Sequence, residues 1–250
     1  MRDRLTYIIH THNRPACCAR LVRSIVEQFP DEETRPLIHV SDDGEAAYRL
    51  SDHEPEVLDL IDYLHELPED VGLSAARNLL VSHARTELVF LSDDDHVLVP
   101  ETKIPLLIEK YDRHGFDVLA TKSNQTEPPR LMRSDGRVLT ISRGARSWSE
   151  HIGTCDMVGN CLLASREMLA RVKWDEDLKL EEHWEFFWRA KVLGLRVGVA
   201  TDHMIEHRHE DPPGYQRFRP EFVDMAKEKH GIQTVRWDLK EKPKHRRGKK

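Results

Sequence analysis

The sequence predicts an α/β fold: a single domain on a mixed, mostly parallel sheet with helices on both faces. Two observations carry this. From Leu5 to Thr121, apolar runs of strand length alternate with helix-patterned segments. Each of the first three apolar runs ends in a polar loop: "THNRP", "SDDG" and "SDDDH". Ligands of such sheets gather at the carboxyl ends of the strands. A length of 250 residues, 39% of them apolar, suits one large domain or two small ones with a sizeable core.

The elements follow in order. "LTYIIH" (Leu5–His10) reads as a buried strand. Asn13 as N-cap and Pro15 in the first turn open a helix that runs to about Gln28. "PLIHV" (Pro36–Val40) is a second strand, and a weaker helix follows around Pro55–Leu64. "VGLSAARNLLVSHA" has a helical apolar face made by Leu73, Ala76, Leu79, Leu80 and Ala84. "ELVFL" is a third strand that runs into Asp93, Asp94 and Asp95. "PETKIPLLIEKYDRHG" reads as a helix kinked at Pro105 and ended by Gly115, and "DVLAT" as a fourth strand.

The second half is less regular. Asn124–Gly153 reads as a long loop with a short hairpin at "RSDGRVLTI", a length that favours a lid or binding loop. "MVGNCLLAS" is a strand, and Ser165 caps a short helix ending near Val172. "EEHWEFFWRAKVLG" is a strongly patterned helix ended by Gly194, in which Glu185 and Arg189 are spaced for an ion pair. Two of Phe186, Phe187 and Trp188 are expected in the core, with Trp184 left to stack on a sugar ring. "RVGVATDHMIEHRHE" is a strand with a histidine-rich end, and "YQRFRPEFVDMAKEKHG" a last helix that Pro220 either breaks or begins. Residues 1–238 are read as the domain, with a nucleotide-binding half at 1–122 and an acceptor-binding half at 123–238. Residues 239–250 form a basic tail with no apolar face, expected to be disordered.

Charge and composition exclude some classes. A net charge of −6 argues against nucleic-acid binding by the body. No apolar run reaches the roughly 18 residues of a membrane span, and the apolar stretch near Met1 is too short for a signal peptide. Cys17, Cys18, Cys155 and Cys161 lack zinc-like spacing and read as free thiols of a reducing compartment.

The acidic trio is the sharpest chemical signal. Adjacent carboxylates repel one another, and a hard divalent cation relieves that repulsion while accepting phosphate oxygens as further ligands. A strand-end loop with Asp93 and Asp95 on one side forms such a site, with Asp94 turned away or contacting a ligand hydroxyl. The competing reading is a solvated acidic turn. His207 and His209 alternate with Arg208, so both imidazoles fall on one strand face, with His203 further back in the same histidine-rich run.

At this point the sequence resembles a known family. "IIHTHNRPACCARLVRSI", "HVSDDG", "VGLSAARNLLVSHARTELVFLSDDDHVLVP" and "MVGNCLLASREML" are similar, in order, to the motifs of GT-A fold, family 2 nucleotide-sugar glycosyltransferases. "KWDEDLKLEEHWEFFWRAKVLGLRVGVATDHMIEHRH" looks most like the β-1,4-N-acetylgalactosaminyltransferase branch, and the resemblance covers roughly residues 4–210. It implies a UDP-sugar donor of the GalNAc, GlcNAc or Gal class, a glycan or lipid-linked saccharide acceptor, and Mn2+ or Mg2+.

Roles follow by resemblance, residue by residue. Thr11, Asn13 and Arg14 line the nucleotide pocket, although Arg14 also reads as a cover for its own helix. Asp42 or Asp43 accepts a hydrogen bond from uracil. Arg77 reaches the nucleotide or sugar, or serves as a structural ion-pair partner. Asp93 and Asp94 contact the ribose or donor sugar, and Asp95, with Asp93 and His207 or His209, holds the metal. The acceptor hydroxyl needs a general base. Glu182 is favoured and His183, standing where an Asp is frequent in the family, is the alternative; Glu182 also reads as a helix-start stabiliser. Competing classes are a binding module that has lost turnover and a nucleotidyltransferase, the latter disfavoured because "THNRPACC" lacks glycine. The expected location is cytoplasmic. The tail is either a solubilising end or a peripheral contact to the inner face of a membrane.

Overall fold

A computed structural model of the chain describes residues 1–124, 129–210 and 220–239. In chain order the strands are β1 (Leu5–Thr11), β2 (Leu37–Asp42), β3 (Tyr63–Glu66), β4 (Leu88–Asp93), β5 (His96–Leu98), β6 (Val118–Ser123), β7 (Arg130–Ser134), β8 (Val138–Arg143), β9 (Ser147–Ser149), β10 (Ile152–Cys155), β11 (Cys161–Ser165), β12 (Val197–His207) and β13 (Thr234–Asp238). The helices are α1 (Pro15–Gln28), α2 (Leu50–His53), α3 (Leu73–His83), α4 (Ile104–His114), α5 (Arg166–Val172), α6 (Glu182–Val192) and α7 (Pro220–Lys229).

The main sheet has the order β3-β2-β1-β4-β11-β6-β12-β10-β9, with β5 paired to β12 beside that path. The β3-β2-β1-β4 half is parallel throughout. β11 runs against both its neighbours, while β6 and β12 run parallel to each other. A second sheet of order β13-β8-β7 is built from the second half of the chain. The predicted class, a mostly parallel sheet flanked by helices, is what the chain adopts.

Covering both faces explains why the strands lack polar alternation. On β1, Tyr7 and Ile9 enter one core with Leu21 and Ile25 of α1 and Leu107 of α4. Ile8 enters the opposite core with Leu80 and Val81 of α3 and Leu169 of α5. The four cysteines are buried thiols outside any disulfide, Cys18 and Cys161 in the first core and Cys155 in the second.

Several expectations are corrected. Asn13 is not an N-cap: it is left-handed (φ 55), and its amide joins the β2 loop instead. Pro105 produces no kink, because it falls in the first turn of α4, where no intrahelical N–H is needed. The segment around Pro55–Leu64 is a short 3-10 turn, Pro55–Leu60, followed by edge strand β3. "YLHE" is half polar and pairs on one side only, which hid it from pattern reading. Asn124–Gly153 is not one loop but carries three strands and the start of a fourth. The hairpin within it is real, and Asp135 accepts the Arg137 and Val138 N–H groups at its turn. β13 was not expected. Pro220 begins α7. Residues 125–128, the text before Pro220 at 211–219 and the tail at 240–250 lie outside the described residues.

The β3 edge gathers His39, Tyr63, His65 and His83, with the His65 and His83 rings 4.4 Å apart. Burial, reinforced by the other two histidines, pushes His39 down to about 4. An unfolded histidine takes a proton near pH 6.5, which the folded His39 refuses until about 4. Stability therefore falls as pH drops through that window. Between pH 7 and 5 the loss from His39 is about 2 kcal/mol. Urea midpoints across this range check it: the slope should flatten in His39→Gln.

Candidate active site

The register of the parallel strands brings three polar tips side by side. Thr11 at the end of β1 stands opposite Asp42 of β2, and His10 stands opposite Asp93 of β4. The turn after β4 leads directly into β5, where His96 pairs with His207 near the end of β12. A stretch more than a hundred residues away is thereby folded back onto the acids.

The trio divides as alternation requires. Asp93 keeps its side chain 32% exposed, whereas Asp94 is fully buried. Asp94 takes a hydrogen bond from the Thr11 hydroxyl at 2.7 Å and an ion pair from Arg14. Burial, with repulsion from Asp95 and Asp93, outweighs Arg14 and raises Asp94 to about 6. Asp95 faces the histidines. Its Oδ2 lies 3.3 Å from His207 Nε2, 3.6 Å from His209 Nδ1 and 3.0 Å from Arg14 Nη1. Burial opposes its ionisation, but His207, Arg14 and His96 together hold it down to about 2.

Asp95 Oδ1 is buried and has no hydrogen-bond partner. Ligand atoms of Asp95, His207 and His209 all lie within 4.8 Å of one another, and those of Asp93, Asp95 and His96 form a second such group. Carboxylates flanked by imidazoles, one oxygen unpartnered, fit a divalent cation. His96 was not singled out from the sequence, although it directly follows the trio. Its ring is buried, lies 4.9 Å from that of His207 and leaves Nδ1 without a partner. His203 sits apart, its Nδ1 3.2 Å from the Thr102 carbonyl. Arg208 points to the other face, as alternation predicts, and pairs with Glu206 at 2.8 Å.

Arg77 joins the acids to the start of α6. It donates to Glu182 Oε1 at 2.6 Å and to Asp93 Oδ1 at 3.0 Å, and is itself 2% exposed. Glu181, the residue before α6, is left-handed (φ 64), which aims the helix entrance at this pair. His183 is pushed down to about 3 by burial and by the Arg130 and Arg77 cations, so it stays neutral near pH 7. The expected Glu185–Arg189 pair is present at 2.6 Å, and His230 joins it at 2.8 Å. Phe186 and Phe187 enter the core as expected. Trp184 does too, at 2% exposure, so it offers no sugar platform.

The remaining sequence-predicted residues shape the wall from behind. Thr11, Asn13, Asp42, Asp43 and Asp94 are buried and bonded to protein groups. Asp42 accepts the Gly44 and Leu50 N–H groups at 2.9 and 2.7 Å. Asp43 accepts His12 Nδ1–H at 2.9 Å and Gly72 N–H at 2.9 Å. Burial works against its charge, but His10, His12 and Gly72 hold it far below the usual carboxylate range. The same contact raises His12. Asn13 is fixed by Glu45, whose N–H donates to its Oδ1 at 2.7 Å. Arg14 caps α1 with its backbone, its carbonyl accepting the Cys17 and Cys18 N–H groups, while its guanidinium, 20% exposed at the side chain, covers the acids.

Strand order and the likeness to a solved structure define the class by fold: a GT-A fold, with acids at the strand tips. The chain belongs to glycosyl transferase family 2, whose family model matches residues 6–172. That match ends before α6 and β12. Among curated proteins, the chain is 29% identical over 221 residues to mouse β-1,4 N-acetylgalactosaminyltransferase 2, covering 85% of this chain and 41% of the relative. It is 30% identical over 206 residues to human β-1,4 N-acetylgalactosaminyltransferase 1, covering 75% and 36%. The chain thus spans 36–41% of the length of the curated relatives it matches. Among solved structures, S. aureus TarS 1-349 in complex with UDP-GlcNAc superposes with a TM-score of 0.62 at 18% identity, covering 88% of this chain and 64% of that one. The complex of the same protein with UDP gives 0.61 at 18% identity, covering 89% and 63%. These two likenesses concern the fold.

Proposed function

We propose that the chain is a metal-dependent, inverting glycosyltransferase that moves a sugar from a UDP-sugar to a hydroxyl of a glycan or lipid-linked saccharide. The observation that carries this is Asp95. It is a buried carboxylate with one unpartnered oxygen, facing two imidazoles beside the partly exposed Asp93. The relatives named above transfer N-acetylgalactosamine, and the TarS complex holds UDP-GlcNAc, which supports an N-acetylhexosamine donor.

Asp95, with Asp93 and His207 or His209, would hold the cation; His96 is the further candidate. Imidazole ligands favour Mn2+ over Mg2+, which prefers an all-oxygen shell. When bound, a divalent cation neutralises charge gathering on the leaving diphosphate. Arg14, already between Asp94 and Asp95, adds a fixed positive charge at the same tip. Asp93 faces the donor side. Glu182 is the base: Arg77 engages Oε1 and orients the carboxylate, leaving Oε2 for the acceptor proton. Inversion needs one base and no covalent intermediate. Cytoplasmic location and a peripheral membrane role for the basic tail belong to the same reading.

Calorimetry with MnCl2 and UDP tests it. Each should enhance uptake of the other, and chelation should abolish the heat. No joint uptake would sink the proposal.

A further inference from the structure

The three-stranded sheet does more than close the acceptor half. β13 is its edge strand, paired only to β8 among the described residues, and lies outside the segment that matches the family model. It presents Trp237, 43% exposed. A large aromatic ring in water on a strand edge contributes little to folding. Arg130 of β7 lies over this ring, 5.5 Å from its centroid. The ring also lines a cleft of about 350 Å³ with Glu181, Val223, Lys227 and Gln233, floored by the buried Trp184. That volume is at the small end for ligand pockets.

The cleft adjoins the chemistry. Glu181 precedes Glu182 in the chain and is one of the described residues held left-handed without being glycine. Such strain concentrates at functional positions. Arg130, which supports Trp237, is also close enough to His183 to depress its proton affinity. The cleft therefore opens beside the helix entrance that carries the base.

A pyranose ring has an apolar C–H face and a rim of hydroxyls. Trp237 matches the face, while Glu181 and Gln233 bring polar groups for the rim. We propose that this cleft is the acceptor-sugar subsite, with Trp237 as the platform on which the pyranose rests. The assignment depends on the transferase reading above and names the class of its second substrate: a saccharide, not a bare lipid or peptide hydroxyl.

Saturation-transfer NMR with methyl glycosides of galactose, glucose, N-acetylgalactosamine and N-acetylglucosamine tests it, with UDP and Mn2+ present and absent. At least one glycoside should bind the wild type. Trp237→Ala should weaken that glycoside about tenfold, whereas Trp237→Phe, which keeps a ring and guards against misfolding, should stay within about threefold. Binding unchanged in Trp237→Ala, or no glycoside bound by the wild type, overturns the subsite. Calorimetry of the same wild-type sample separates the two readings: UDP uptake with no glycoside response removes the subsite alone.

Discussion

Asp95→Ala is expected to reduce sugar transfer at least about a thousandfold. The variant removes the oxygen that has no protein partner and the group that both His207 and His209 face. It should leave the fold intact. Arg14 keeps Asp94, and the strain of holding adjacent buried carboxylates is reduced. The acid is held down to about 2, so the wild-type site carries its charge throughout the neutral range. Three measurements are needed: turnover with a UDP-sugar and Mn2+, manganese uptake with UDP, and thermal unfolding. Loss of the first two with the third unchanged is the expected pattern. Wild-type turnover by Asp95→Ala, with an unaltered metal response, would refute the assignment.

Glu182→Gln is expected to lower kcat by about 10² to 10⁴ while UDP and manganese uptake persist. The amide keeps the shape of the carboxylate and can still accept from Arg77, so orientation survives while proton acceptance is lost. A purely structural role makes the opposite forecast. Glu182 is 3% exposed and shares Arg77 with Asp93, so a structural residue would show a large stability loss with kcat preserved. His183→Asn supplies the third arm. If its kcat collapses while Glu182→Gln turns over normally, the base is His183. His183 stays neutral down to about 3, so near pH 7 its ring keeps a nitrogen lone pair to accept a proton.

Much of this site was legible before any coordinates. The apolar runs of β1, β2 and β4 are continuous because both faces are covered, and that made them readable. Alternation at "HRH" placed His207 and His209 together, and helical spacing placed Glu185 against Arg189. Terminators such as Gly115 stand where local sterics require them. Errors arose where a side chain chose a distant partner over a local one. Asn13 had the chemistry of an N-cap but bonds Glu45 across the loop. Trp184 had an amphipathic ring but turned inward. The short strands β3 and β13 have too few apolar residues to declare themselves, and β13 exists only because β8, far earlier in the chain, offers it an edge.

The sequence alone determined the alternation of strand and helix, the polar tips, the acidic trio and the family to which they point. Those are properties of contiguous residues, governed by backbone sterics, side-chain period and burial. Tertiary structure decided which carboxylate stays accessible and which is saturated by Thr11 and Arg14. It also decided that Arg77 ties Glu182 to Asp93, and that β5 draws the end of β12 onto Asp95. The reason is physical. A charge's partner is set by distance in space, and distances between remote segments are fixed only when the sheet pairs and both cores close.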